Sequence, residues 1–442
     1  MAKPVVEKAP SLDISRFGEY IKYFPDYDVI DAQGRYLHWD LLKWRVPTNE
    51  AQLIWQVIKF KRNSMGRPTG LFDTNGTEFR YCIPSILESR LHEIVEVAGG
   101  NVGAVDGHAA SDNIQQKFLV SSLLMEEAIT SAQLEGACVT REVAKKMLEE
   151  DRAPISEDER MIVNNYLLLK HAERSIDKPL TIDLILDFHA IATTGTTENH
   201  VVPGEFRQSN DIYVEDSRGE IAHNPPSFDL IPARLDTLCR FANFDHSGLN
   251  FIHPVIKAII LHFMIGYEHP FRDGNGRTAR ALFYWFMLKK EYDLFKYVSI
   301  SMLLKKDPKG YGLSFLYTER DANDLTYFIE YQLNIILSAI DELKKYLQNK
   351  TDEFNTIVEM LDNSKIGKEL NFVEKDLIKK GTKEPGRVFT VKEISNSYSL
   401  AENTARGYLN KLVELKLLLQ TKDGRTVLYF APSDLKSRLN IG

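Results

Sequence analysis

The chain has 442 residues and a formal net charge of −7, and 43% of its residues are apolar and 26% charged. This composition is that of a folded globular protein, and at about 150 residues per domain the length predicts two or three domains. It excludes a disordered tail protein and a small protein held together by disulfides.

Cysteine usage and the lack of export signals favour the cytoplasm. The cysteines Cys82, Cys138 and Cys239 are odd in number and widely spaced, which argues against a disulfide framework and against a zinc site. No apolar run is long enough to predict a membrane helix, and the first residues lack the apolar core of a signal peptide. We therefore expect a cytoplasmic protein without a membrane partner. Its acidic total gives no general nucleic-acid signature.

Residues 1–112 predict an N-terminal accessory region of mixed character. A helix is expected from Glu50 to Lys61, turns at 67–70 and 75–76, and a loop from Gly99 to Asp112.

Residues 113–350 predict a helical domain, because apolar residues recur there at spacings of three and four. The first helix follows Asn113, and the further predicted helices are Ser156–Arg174, Thr181–Thr194, Asp229–Phe241, His253–His269, Gly276–Lys290 and Leu325–Leu347. One short hairpin is expected within this domain, with strands at 211–215 and 220–223 around a turn at 216–219.

Residues 351–442 predict a small separate domain. A helix begins at Thr390, which is spaced from Glu393 as in a capping box, and a second helix runs from Ala401 to Leu418. Two strands follow between Leu418 and Phe430. This order is typical of a winged helix-turn-helix. The expected fold class is therefore mainly α, with a small α+β domain at the C-terminus.

The most informative segment is HPFRDGNGRTAR, residues 269–280. Pro270 disfavours helical geometry at His269, so the preceding helix ends there and the imidazole lies on a loop. Gly274, Asn275 and Gly276 tolerate positive φ, and a helix begins at their end. Such a loop can form a nest of backbone N–H groups at a helix N-terminus, where anions bind.

Three charged side chains complete this segment. Arg277 and Arg280 are three residues apart and share one helical face, and Asp273 is a carboxylate of the kind that holds Mg²⁺ beside a polyphosphate. The whole set predicts phosphate or nucleotide chemistry. The alternative is a plain helix–loop–helix corner, in which His269 is a cap and the arginines are solvated.

The segment matches the signature HPFx(D/E)GNGRxxR and so resembles the Fic family, as do the helical surroundings from about Asn113 to Leu347. The resemblance implies a helical bundle with a β-hairpin flap. It also implies an adenylyltransferase that moves AMP from Mg²⁺-bound ATP to a Ser, Thr or Tyr hydroxyl of a target protein or of itself.

The resemblance also assigns roles to residues of the motif. His269 would be the general base, Asp273 the Mg²⁺ ligand, and Phe271 a core residue that fixes the loop. The phosphates would be cradled by Gly274, Asn275 and Gly276, with Arg277 at the α- and β-phosphates and Arg280 at the γ-phosphate.

Two further segments resemble parts of the family. Gly204, Glu205, Phe206 and Arg207 match its GxFR stretch, which lines the nucleotide site. The hairpin that follows occupies the position of the flap, which docks a target segment as an added strand through Ile212, Val214 and Ile221. These apolar residues could equally pack the hairpin on the body of the domain.

Residues 131–136 resemble the inhibitory motif (S/T)xxxE(G/N) of the family. In relatives the glutamate reaches the second arginine of the catalytic motif. The resemblance therefore implies that Ser131 and Glu135 are regulatory, and that Glu135 occupies the fork of Arg280 meant for the γ-phosphate. The alternative is an ordinary surface glutamate near a helix end.

Other residues are weaker candidates. His253 and His262 are expected to be core or capping histidines. The resemblance implies an asparagine near the adenine, for which the candidates are Asp321 and Asn323, and Tyr311 is either a residue that packs on the adenine or a core tyrosine. Residues of the second C-terminal helix and the wing could contact DNA, although docking of a protein is favoured: Thr404, Ala405, Arg406, Asn410, Lys411, Lys422 and Arg425.

Several alternatives stay open. The chain could be a winged-helix DNA-binding regulator whose Fic-like domain senses nucleotide, or an enzyme that removes AMP or uses another phosphate donor. A homodimer is also possible, because relatives of this architecture often dimerise.

Overall fold

The structure is a computed structural model that describes residues 6–98, 113–197, 200–215, 218–362, 367–384, 386–423 and 426–439. The predicted loop Gly99–Asp112, the turn residues 216–217 and Arg425 lie outside these ranges. The N-terminal elements are α1 (Phe17–Tyr20), α2 (Trp39–Leu42), α3 (Ala51–Met65), β1 (Arg67–Phe72), β2 (Glu78–Tyr81) and α4 (Ser85–Ala98).

The central part of the chain is helical, as predicted, apart from one short antiparallel hairpin. Its elements are α5 (Asn113–Leu134), α6 (Arg141–Glu150), α7 (Glu157–Arg174), α8 (Ile182–Thr193), β3 (Val214–Glu215), β4 (Ile221–His223), α9 (Ile231–Asn243), α10 (Pro254–Glu268), α11 (Asn275–Lys289), α12 (Ile300–Lys306), α13 (Pro308–Arg320) and α14 (Thr326–Asp362). Ser156 and Thr181 cap α7 and α8, where the sequence predicts that these helices begin.

The core is built around α10 and α11, which pack against each other. Almost every residue of the two helices is buried, because their apolar residues cover all sides. Helices α7, α8, α9 and α14 surround this pair, and α5 packs on α7 and α12. The short loop between α10 and α11 is therefore held between two rigid elements. None of the described helices is both long and apolar enough to cross a bilayer.

The N-terminal region is attached to the helical domain by a buried polar cluster. Nζ of Lys59 lies 2.6 Å from Oδ1 of Asp321, and both side chains are almost fully buried. Nη1 of Arg62 donates to the hydroxyl of Tyr327 at 2.9 Å, and the hydroxyl of Tyr36 donates to Asp324 at 2.7 Å. This cluster fixes the start of α14 and the end of α13.

We expect Lys59→Ala to destabilise the protein by about 3–5 kcal/mol, because it leaves the Asp321 carboxylate buried without its cation. The measurement is the shift of the urea unfolding midpoint. Arg16→Ala, which removes the exposed ion pair with Glu19, is the matched control and should leave the midpoint unchanged. Equal shifts for the two variants would contradict the prediction.

The C-terminal elements are α15 (Phe372–Lys383), β5 (Val388–Phe389), α16 (Val391–Tyr398), α17 (Glu402–Glu414), β6 (Leu419–Asp423), β7 (Thr426–Phe430) and α18 (Leu435–Leu439). The strands form an antiparallel sheet in the order β5–β7–β6. The predicted capping box of Thr390 and Glu393 is confirmed at the start of α16. The boundary predicted at 350 falls within α14, because that helix continues to Asp362 instead of ending near Leu347.

The C-terminal elements also contact the helical domain. Helix α16 packs on α5 and α6, where Nδ2 of Asn396 donates to the Glu149 carbonyl at 3.3 Å. Lys392 pairs with Asp151 at 3.2 Å, at the end of α6.

Candidate active site

The loop between α10 and α11 has the conformation that its sequence predicts. His269 ends α10 in the left-handed region, with φ of 44°, and Gly274 adopts φ of 80° immediately before α11. Asn275 closes the loop, because its side chain accepts from the Phe271 N–H at 3.0 Å and donates to the Phe271 carbonyl at 2.8 Å. Phe271 is fully buried, which confirms it as the residue that anchors the loop in the core.

His269 is held as a neutral imidazole. Its Nδ1 lies 3.3 Å from the Gly266 carbonyl, and with Nδ1–H as the donor the lone pair is on Nε2. The pKa of His269 is lowered to about 4, chiefly by burial and in part by the positive charge of His223, against the opposing effects of the hydrogen bond to Gly266 and of the Glu135 charge. His269 can therefore accept a proton at neutral pH without first losing one.

His189 on α8 supports this loop and was not identified from the sequence. Its ring stacks on Phe271, with centroids 3.7 Å apart, and its Nδ1 accepts from the Gly204 N–H at 3.1 Å. Nε2–H is then the donor to the Asp273 carbonyl, also at 3.1 Å. Burial lowers the pKa of His189 to about 4, which keeps the ring neutral for both hydrogen bonds.

Asp273 and Arg277 form an ion pair at the start of α11. Nη2 of Arg277 donates to Oδ2 of Asp273 at 2.8 Å, and Nη1 donates to the Ala192 carbonyl at 2.8 Å. The side chain of Arg277 is fully buried, and this arginine is not among the residues that line the cavities described below. In this structure it positions Asp273, and its contact with phosphate stays a prediction.

Arg280 lies on the same helix but has different partners, which come from the end of α5 and from the residue that follows it. Nη2 donates to Oε1 of Glu135 at 2.8 Å, and Nε donates to the hydroxyl of Ser131 at 2.9 Å. Nη1 is buried and has no hydrogen-bond partner among the residues that the structure describes. Burial raises the pKa of Glu135, but the charges of Arg280 and Arg277 outweigh burial, so the pKa lies below its ordinary value. Glu135 is therefore ionised at neutral pH.

Helix α5, which ends immediately before Glu135, is fixed on α12 by a second carboxylate. Glu127 is buried and accepts from the Ser299 hydroxyl at 2.7 Å and from the Ser301 N–H at 3.1 Å. Beyond Leu134 the helix ends, and Gly136 adopts φ of 105°, as the sequence predicts. Gly276 lies so close to Glu135 that a Cβ at position 276 would overlap the Glu135 carboxylate.

Two cavities meet at this point. The larger, of about 550 Å³, is bounded by α13 and the flap and includes Glu135, His269, Arg280 and Tyr311. The smaller, of about 250 Å³, lies between the flap and the loop that joins α10 to α11, here called the catalytic loop after the roles predicted for it, and includes Glu135, His269, Arg272 and Asp273. His269 and Glu135 thus border both cavities.

The segment Gly204–Arg207, predicted to line the nucleotide site, contacts the catalytic loop instead and lines neither cavity. Gly204 binds His189, Glu205 is exposed, and Phe206 stacks on Phe271 with centroids 5.8 Å apart. Nε of Arg207 donates to the His269 carbonyl at 2.9 Å. These residues support the catalytic loop through the contacts above, and their contact with nucleotide stays a prediction.

The predicted hairpin is present. Two of its apolar residues line the cavities and the third is exposed, so they do not simply pack the hairpin on the body of the domain. Val214 pairs with His223 across the hairpin and lines the larger cavity, whereas Ile212 lines the smaller one. Ile221 is 53% exposed. His223 anchors the hairpin, because its Nδ1 lies 2.8 Å from Glu319 and its Nε2 lies 2.7 Å from the Tyr267 carbonyl.

The structure places the weaker candidates in different parts of the domain. His253 caps α10, and His262 is a buried core histidine whose Nε2 lies 2.8 Å from the Tyr311 hydroxyl, as expected. Tyr311 lines the larger cavity, but Asp321 pairs with Lys59 and Asn323 binds Asp73. Neither Asp321 nor Asn323 lines the larger cavity. One wall of that cavity is formed by α13, which the sequence did not predict as a helix.

Comparisons with known proteins identify the central segment. Residues 179–287 match the sequence profile of the Fic/DOC family. The chain is 31% identical to the proteins named "Protein adenylyltransferase Fic" of Drosophila sechellia and Drosophila melanogaster over 158 residues, which are 35% of this chain and 29% of each relative. It thus spans under a third of the length of these relatives.

Two solved structures are similar in shape. A Fic family protein from Desulfovibrio desulfuricans G20 matches with a TM-score of 0.47 and 17% identity, over 79% of this chain and 95% of that one. Fic-1 from C. elegans matches with a TM-score of 0.46 and 18% identity, over 60% of this chain and 72% of that one. Residues 179–287, which include the catalytic loop between α10 and α11, form a Fic/DOC family domain.

Proposed function

We propose that the chain is a protein adenylyltransferase, which transfers AMP from ATP to a hydroxyl of a protein and releases pyrophosphate. The observation that carries the proposal is the position of the neutral His269 at the junction of two cavities, with the Arg280 guanidinium in one of them. The names of the Drosophila relatives support the same activity.

Each step of the transfer has a residue suited to it. The acceptor oxygen forms a bond to the α-phosphorus, and its proton passes to Nε2 of His269. The bond from the α-phosphorus to the oxygen that bridges to the β-phosphate breaks, and pyrophosphate leaves. The N–H groups at the start of α11, near Gly274, Asn275 and Gly276, would stabilise the phosphate charge.

The larger cavity suits a nucleotide in size, and Arg280 offers a cation to its phosphates. Its volume of about 550 Å³ lies in the usual range for small-molecule sites. The unpartnered Nη1 of Arg280 is a buried donor that an anionic oxygen would satisfy. We assign Arg280 to the terminal phosphate, and the wall formed by α13 to the base.

Asp273 fits the metal that such a transfer uses. Mg²⁺ is commonly held by one or two carboxylates together with substrate phosphates, and Asp273 borders the cavity beside the α11 N-terminus. When bound there, Mg²⁺ would supply charge neutralisation at the phosphates. Arg277 and His189 keep the Asp273 carboxylate and carbonyl in place.

We further propose that the enzyme is autoinhibited by Glu135. Its carboxylate takes one side of the Arg280 fork and lies over Gly276, so a nucleotide that binds Arg280 must displace it. Ser131 holds the other side of the same guanidinium.

The remaining assignments concern partners. The flap, through Ile212, Val214 and Ile221, would dock the target segment. The C-terminal elements would form a winged helix-turn-helix that binds a protein rather than DNA, because Lys411 on α17 is engaged with Glu374 at 2.8 Å and Glu402 and Glu414 lie on the same helix. A homodimer and a cytoplasmic location stay predictions.

The test uses the Glu135→Gly protein with Mg²⁺ and either α-labelled or γ-labelled ATP. Label on protein from the α-position alone is the expected result. Label from the γ-position alone would indicate a kinase, and binding of ATP without any label on protein would favour a nucleotide sensor. Release of AMP from a pre-labelled protein, without transfer, would indicate an AMP-removing enzyme.

A further inference from the structure

The smaller cavity is the side from which an acceptor hydroxyl reaches His269. The proposed function places the base and the terminal phosphate in the larger cavity, whereas Asp273 and Gly274, assigned to Mg²⁺ and to phosphate, line the smaller one. The acceptor oxygen must reach both Nε2 of His269 and the α-phosphorus beside these residues, so it enters from the smaller cavity. The residues between Asp211 and Tyr213 form one wall of the smaller cavity, at the start of the flap. A side chain next to the acceptor residue must therefore lie against this wall.

Arg272 lies at the rim of this cavity. It is the one lysine or arginine among the lining residues that the structure describes. The motif leaves position 272 undefined, so the catalytic roles assigned above do not use it. Nη1 of Arg272 lies 3.2 Å from Oδ1 of Asp211, and Nη2 lies 3.0 Å from Oδ2. The guanidinium thus already holds a carboxylate by both nitrogens.

The carboxylate that it holds is easily replaced. The side chain of Asp211 is 56% exposed, and that of Arg272 is 27% exposed. Asp211 also accepts from the Ser209 hydroxyl, and Nη1 of Arg272 donates to the same hydroxyl at 3.2 Å. A displaced Asp211 would exchange these contacts for water, and an incoming carboxylate would recover both hydrogen bonds of the Arg272 fork. Exchange of one carboxylate for another at an arginine fork therefore costs little.

The other charges around the cavity do not cancel this preference. Asp273 is paired with Arg277, and Glu135 is paired with Arg280. Bound nucleotide would separate Glu135 from Arg280, so the preference is tested in the Glu135→Gly protein, where this carboxylate is absent and Asp273 remains paired with Arg277.

We propose that Arg272 selects acceptor segments that carry Asp or Glu within about two residues of the hydroxyl, in exchange for Asp211. The inference rests on the proposed function and adds a substrate class to it. Arg272 is a specificity-determining residue in this account, whereas His269 and Asp273 perform the reaction.

The experiment measures AMP transfer by the Glu135→Gly protein to short peptides with a central Ser, Thr or Tyr and flanking Glu, Gln or Lys. We expect Glu-flanked peptides to exceed Gln-flanked ones in kcat/KM about twofold, because the pair with Arg272 is gained at the loss of the pair with Asp211. Asp211→Asn should widen the ratio to about fivefold, the upper value for one partly exposed ion pair, because it removes the competing carboxylate. Arg272→Gln should abolish it, and Arg272→Glu should reverse it in favour of Lys.

A purely structural role would look different. If Arg272 only held the flap to the loop, its variants would lower kcat/KM for all peptides by the same factor, and that result would overturn the inference. Self-labelling with intact ATP turnover but no labelling of any peptide would also overturn it and leave the proposed function standing. Loss of every form of AMP transfer in the Glu135→Gly protein would instead refute the proposed function, and the inference with it.

Discussion

Glu135→Gly is expected to raise the rate of AMP transfer about 10- to 100-fold. Nη2 of Arg280 donates to Glu135 at 2.8 Å, and a charge-assisted hydrogen bond of this kind contributes about 1.5–3 kcal/mol, where 1.4 kcal/mol is a tenfold change. Without the carboxylate, the Arg280 fork and the space above Gly276 are open to a phosphate. The measurement is the initial rate of self-labelling from α-labelled ATP.

Two variants serve as controls for this prediction. Glu135→Gln keeps the shape of the side chain and removes its charge, so we expect activation between those of the parent and the glycine variant. Glu126→Gly removes a carboxylate from α5, the helix that ends just before Glu135, but that carboxylate pairs with Arg141, 2.8 Å from its Nε. Activation by the Glu126 variant, or none by Glu135→Gly, would contradict the proposed brake.

The catalytic loop could be predicted from sequence because much of its conformation is determined by residues within it. Pro270 disfavours a helix at His269, although the φ of 44° there is set by the fold and not by the proline, which favours extended backbone. Gly274 permits the φ of 80° that it adopts. The same holds for the capping box at Thr390 and for the end of α5 before Gly136. Local rules of this kind do not depend on what the rest of the chain does.

The walls of the site could not be predicted, because they depend on contacts between distant segments. Helix α13 contains Pro308, Gly310 and Gly312, which locally disfavour a helix interior. In the fold, Pro308 occupies the first turn, Asp307 caps it by accepting from the Gly310 N–H at 2.9 Å, and the helix is stabilised by packing on α14. Tertiary packing thus outweighs a weak local preference.

Polar partners were missed for a related reason. His189 lies 80 or more positions before the catalytic loop, and a lone histidine on an apolar helix gives no signal of its stacking on Phe271. The two arginines of the motif share a helix, yet Arg277 binds α8 and Asp273 whereas Arg280 binds α5. The spacing of residues along a helix predicts which of them share a face. The residues that this face contacts depend on how the whole bundle packs.

His269→Ala in the Glu135→Gly protein is expected to lower AMP transfer by about 10²–10⁴-fold, the usual contribution of a positioned general base. ATP binding should be unchanged, because Arg280 and the N-terminus of α11 remain. His253→Ala is the matched control, since His253 only caps the opposite end of α10 and should leave transfer intact.

The pH dependence tests the same residue without a mutation. His269 accepts a proton only when it is neutral, and burial lowers its pKa in the free protein from the ordinary 6.5 to about 4. The acid limb of the pH profile of kcat/KM, which reports the free enzyme, should therefore have its midpoint well below the ordinary pKa of histidine. Activity should persist as the pH falls from about 8 to about 5, and be lost only as the pH falls through about 4. An acid limb with its midpoint near 6.5 that is lost in His269→Ala would mean that His269 is hydrated in solution, and it would contradict the buried, neutral base on which the proposed mechanism depends.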